Sequence, residues 1–97
     1  MSATLSRDTR LRPTSQLLTR EVDGEAVVLD LAAGTYFGLN EVATATWHEI
    51  SAERPLGEIH AVLAAAFDAA PVRLWDDLLG LVSELERLGL VERLGEH

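Results

Sequence analysis

Two glycine turns ten residues apart, at Asp23-Gly24 and Ala33-Gly34, leave room between and after them only for short strands. Asp-Gly placed before an alternating apolar run is the pattern of a two-residue hairpin turn, in which both central residues take positive φ. Leu17, Leu18 and Val22 precede the first turn as one strand. The run Ala26 to Leu31 follows it as a second, and Thr35 to Leu39 follows the second turn as a third. These segments predict a three-stranded antiparallel meander. Side chains alternate along a strand, so Val27, Leu29 and Leu31 are expected to face the core, with Val28 and Asp30 on the other side. In the third strand Phe37 and Leu39 are expected to point inward and Tyr36 outward. Gly38 has no side chain and either permits close backbone approach or marks a bulge.

The period then changes from two to that of a helix. Asn40 can cap a helix by accepting from amides of the first turn, and Glu41 adds a favourable charge there. Val42, Thr46, Trp47 and Ile50 recur at helical spacing, with Trp47 read as core. Pro55 fixes the entry to a second helix over residues 56–67, whose Leu56, Ile59, Leu63 and Phe67 share a face. A third helix begins near Pro71 and stops at Gly89, which suits the left-handed residue after a helix end. Leu90 and Val91 return to the body. The expected fold is α+β and winged helix-turn-helix-like, with a three-stranded antiparallel sheet followed by three helices. Residues 1–13 are polar and without periodicity and are expected to be a flexible N-terminal arm before a single domain at 14–94.

The net charge of −8 is unevenly distributed. Residues 1–20 carry four Arg against Asp8, a net +3, while residues 21–97 carry four Arg against fifteen acids, a net −11. Nucleic-acid affinity comes largely from cations that neutralise phosphates, so an acidic body argues against DNA or RNA. A partner with basic character is favoured, although surplus acid also simply keeps a small domain soluble. With no cysteine, disulfides, thiolate metal sites and a cysteine nucleophile are excluded. No apolar run has the length of a membrane span or signal segment, and the chain is expected to be a cytoplasmic monomer.

The third helix carries more apolar surface than one buried stripe requires. At 100° per residue Leu74, Leu78, Leu81, Leu85 and Leu88 form the stripe, and Arg73, Asp76, Asp77, Glu84 and Arg87 lie roughly opposite. Trp75, Leu79 and Val82 occupy one flank, with Glu86 a turn further on. Either the core widens to cover this flank or it lines a groove. An unpaired third strand beside aliphatic and aromatic anchors is what strand addition needs. The candidate peptide-binding residues are therefore Thr35, Tyr36, Phe37, Gly38 and Leu39 on the strand, with Trp75, Asp76, Leu79, Val82, Ser83 and Glu86 on the helix. A bound peptide would pair its backbone with the strand and place alternate side chains in the gap.

The wording "LDLAAGTYFGLNEVATATW", with "PLGEIHAVLAAAFDA" at 55–69 and "LLGLVSELERLGLVE" at 78–92, resembles the PqqD-like proteins. These are the leader-peptide recognition elements of ribosomally made, post-translationally modified peptide (RiPP) pathways. The likeness covers about residues 14–92 and is greatest to the stand-alone form of lasso peptide pathways. It implies that a precursor's leader becomes an extra strand, antiparallel to the third strand and packed on the third helix. It also implies partners: the leader peptide, a separate leader peptidase, and an ATP-using cyclase. The resemblance leaves an alternative, a peptide chaperone that serves a radical-using maturase, as PqqD does, in place of those two enzymes. Pro55, where many relatives have a polar cap, and the mid-helix Gly80 depart from the pattern.

Signs of catalysis are lacking in the sequence. His48 and His60 have no second histidine at ligand spacing, so no metal or other cofactor is expected. There is no Gly-x-Ser-x-Gly elbow and no glycine-rich phosphate loop. Asp76 and Asp77 diverge by about 100° on a helix and cannot act as an acid and base pair. A DNA-binding winged helix would need Arg or Lys along its last helix, which here is acidic.

Overall fold

The computed structural model describes residues 4–95. Its elements run β1 (Leu11–Pro13), β2 (Leu17–Val22), β3 (Glu25–Asp30), β4 (Thr35–Gly38), α1 (Glu41–Ser51), α2 (Leu56–Ala66), α3 (Pro71–Arg87) and β5 (Val91–Arg93). The fold is α+β, with β2, β3 and β4 forming the antiparallel meander in that order. Asp23 and Gly24 both adopt positive φ, 54° and 82°, and Val22 pairs with Glu25 across them. This is the two-residue turn that the Asp-Gly pair favours, because its twist matches that of the strands it joins.

The facing of β3 is the reverse of the expectation. Val28 is 0% exposed and Ala26 is buried, whereas Val27 and Leu29 are only half-buried on the outer face. Leu31 lies beyond the strand and is 62% exposed. The cause is the turn. Asp30 pairs with Thr35, so residues 31–34 form the connection, and the Asp30 side chain accepts from the amides of Ala32 and Ala33. Pairing of Val28 with Phe37 puts these two on one face, and Phe37 packs on the core. A one-residue change of phase turns every side chain over. The outer face is left partly apolar, with Leu18, Val22 and Tyr36 exposed on it.

Helix α1 is stitched to the end of this sheet. The Asn40 side chain accepts from the Ala43 amide at 2.8 Å, as expected of its cap. Buried Thr44 accepts from the Ala26 amide at 2.9 Å and donates to the Leu39 carbonyl at 3.2 Å, bridging β3 and β4 where they part. Trp47 is core, and its indole N–H donates to Thr19 on β2. Ile50, Leu56, Ile59, Leu63, Leu74, Leu78 and Leu85 complete the centre.

Residues 4–13 are not a free arm. Leu11 is buried and β1 pairs antiparallel with β5, through Leu11 with Arg93 and Pro13 with Val91. The carbonyls of Thr9 and Arg7 accept from the amides of Leu56 and Gly57. They satisfy the first turn of α2, which Pro55 cannot cap with a side chain. A Cβ on Gly57 would lie 3.1 Å from Arg7 Cβ, so glycine allows this approach. Residues 1–3 of the expected arm lie outside the described residues. At the other end α3 stops as expected at Gly89, φ 76°, with Gly89 and Leu90 amides bonded to the carbonyls of Glu86 and Leu85. This is the paired closure of a left-handed helix end, and it turns the chain into β5.

Candidate functional site

Among the described residues β4, like β2 at the other side of the sheet, pairs with β3 alone, so its outer edge is open. The Leu39 amide bonds to the Ala26 carbonyl, which makes Leu39 and Ala26 a hydrogen-bonded pair. Such pairs alternate along antiparallel strands, so Phe37 and Thr35 also direct their backbone groups to β3. Tyr36 and Gly38 direct theirs outward, one N–H and one C=O each. Tyr36 is 71% exposed on the outer face, while Phe37 and Leu39 point to the core. Gly38 has open space where a Cβ would be, so its position could carry a side chain on the sheet's outer face.

Beside the end of this edge lies a groove of about 750 Å³. Asn40, Val42, Ala43 and Thr46 form one wall, and Leu74, Leu78 and Leu81 of α3 form the other. Leu63 and Phe67 close the base, and Asp68, Arg73 and Asp77 supply the charge. Arg73 and Asp77 are 3.9 Å apart and exposed, a weak contact across one helical turn.

The groove therefore borders the flank of α3 opposite to the one expected. Val82 is 0% exposed and belongs to the core. Trp75 is half-buried under the Arg7 guanidinium, 4.5 Å from its ring, and meets the His60 ring edge-on at 5.3 Å. His60 Nε2 donates to the Pro71 carbonyl at 2.7 Å, which leaves Nδ1 to accept from Arg7 at 3.3 Å. Leu79 packs partly on the core and Glu86 pairs with Arg93 at 2.7 Å. Asp76 and Ser83 are exposed. A helical wheel identifies the buried stripe but not which neighbour covers each side of it. Leu81 and Asp77, missed as groove residues, sit within one turn of that stripe.

Glu84 and Arg87 form an exposed pair on the same side of the helix as Asp77. The Arg87 hydrogen bond holds the Glu84 carboxyl below its ordinary range, and Glu84 raises Arg87 in turn. Among the described residues no group of His, Cys, Asp and Glu could hold a metal ion, and no helix is long and apolar enough to cross a membrane.

Three helices following a three-stranded antiparallel meander define a small winged helix-turn-helix-like domain. The family model "Coenzyme PQQ synthesis protein D (PqqD)" matches residues 25–91, and the chain belongs to the PqqD family. Among solved structures, "TbiB1 in Complex with the TbiA(beta) Leader Peptide" is similar at TM-score 0.79 and 25% identity, covering 88% of this chain and 99% of that one. "Lasso peptide synthetase B1 complexed with the leader peptide" shares the fold at TM-score 0.77 and 20% identity, covering 84% and 96%. No curated protein matches significantly in sequence.

Proposed function

We propose that this protein is a PqqD-like RiPP recognition element. It binds the leader of a ribosomally made precursor peptide as an added strand on β4, and presents it to the leader peptidase and cyclase of a lasso peptide pathway. The observation that carries this reading is the free β4 edge ending at an apolar groove, in a chain similar over nearly its whole length to TbiB1. The outward amides and carbonyls of Tyr36 and Gly38 supply affinity with little dependence on leader sequence, and the groove supplies selectivity. The role is binding, not chemistry, and it is exercised in the cytoplasm where precursor peptides are made.

A DNA-binding role fits poorly. The arginines of α3, Arg73 and Arg87, lie against Asp77 and Glu84 on the same helix, leaving little positive charge for phosphates.

Titration of the labelled protein with the TbiA(beta) leader peptide tests the reading. Amide shifts are expected at Thr35 to Leu39 and along the Leu74, Leu78 and Leu81 flank, with affinity on the order of 1 µM, about −8 kcal/mol. Gly38→Pro removes one outward amide and is expected to weaken binding about tenfold without unfolding, since an outward N–H on an edge strand is not needed by the sheet. Unchanged shifts along β4 would refute the edge as the binding site.

A further inference from the structure

The groove starts where the free edge of β4 stops. We infer that it receives the residues on the N-terminal side of the added leader strand, and that Asp68 and Asp77 on its rim select a positively charged side chain there. The inference rests on leader addition at β4. That strand runs from Thr35 to Gly38, so an antiparallel partner enters beside Gly38 and leaves beside Thr35. Leader residues just before the paired segment therefore pass Asn40, Val42 and Ala43, which are a wall of the groove.

Charge complementarity names the occupant. Leu63, Leu74 and Leu78 are fully buried beneath the groove, and an apolar leader side chain fits above them. Charge is confined to Asp68, Arg73 and Asp77, a net −1. Arg73 is only loosely engaged with Asp77. Asp68 is exposed and makes no hydrogen bond or ion pair among the described residues. The chain as a whole carries a net −8, so the surrounding field has the same sign. A lysine or arginine at the groove mouth gains from both, whereas an acid meets repulsion.

The test uses the TbiA(beta) leader peptide in three forms: unchanged, extended at its N-terminus by two lysines, and extended by two glutamates. At low salt the lysine form is expected to bind about three- to tenfold tighter than the glutamate form, the range for a few exposed charge contacts. The preference should shrink as salt is raised. In the Asp68→Asn, Asp77→Asn double variant the preference for the lysine form over the glutamate form should vanish. Equal affinities, or a tighter glutamate form, overturn the inference and leave strand addition standing. A preference that survives in the double variant overturns the assignment to Asp68 and Asp77. If no form moves the amides of Thr35 to Leu39, the failure is of strand addition itself.

Discussion

The two flanks of α3 have opposite fates. On one, Trp75 is roofed by Arg7 and His60, and Glu86 is tied to Arg93 of β5. On the other, Leu81 and Asp77 face a groove. The more apolar flank is the one that Arg7, His60 and β5 cover, which leaves the plainer flank open. Exposed aromatic surface is costly to leave bare. The contrast shows that an open groove is located by what fails to cover a helix flank, and not by the hydrophobicity of that flank alone.

The largest effect that could break this contrast is at Val82. Val82→Asp places an unpaired carboxylate in the core and should cost several kcal/mol, read by urea denaturation. A folded variant of normal stability would return Val82 to the surface. Next come Leu81→Asp and Leu79→Asp, compared by leader titration. The first is expected to weaken binding about tenfold, about 1.4 kcal/mol, and the second to leave it nearly unchanged; the reverse result would exchange the two flanks. Arg7→Ala removes a cation over an aromatic face and should lower stability by about 0.5–1 kcal/mol with leader affinity intact. The smallest effect concerns Glu84. Its carboxyl is held below the ordinary range in the folded state, so its contribution is present at neutral pH and is lost as pH falls through the lowered value. Because the pair is exposed, Glu84→Gln should lower neutral stability only slightly, leave stability below the lowered value unchanged, and so flatten the acid limb a little.

Features set by local chemistry were readable from the residues. Asp23-Gly24, the Asn40 cap, the Gly89 stop and the strand Thr35–Gly38 each depend on neighbours a few positions away. Trp47 and the Leu74, Leu78 and Leu85 stripe followed from period. What escaped notice depends on distant partners. β1 and β5 are three residues each and have no pattern of their own, and Leu11 is buried where β1 packs on α1 and pairs with β5. The phase of β3 was set by Asp30 closing a longer turn than Ala33-Gly34 alone implies. The covered flank of α3 was hidden in the same way, since Arg7 lies far from Trp75 in sequence.

The β1–β5 pairing joins residues about 80 positions apart, and closing so long a loop is a late event in folding. β2, β3, β4 and α1 instead form one continuous stretch whose contacts are mostly short in sequence. At the roughly 5–20 residues per second of synthesis, some 2–8 s separate the making of the end of α1 from that of Arg93. During that interval the open β4 edge has all its residues, while the β1–β5 pairing beside Leu11 does not yet exist. The residues of the open β4 edge are thus all made before the two ends can lock together, and a variant weakened in β5 is expected to lose persistence of the fold before it loses the pattern of the edge.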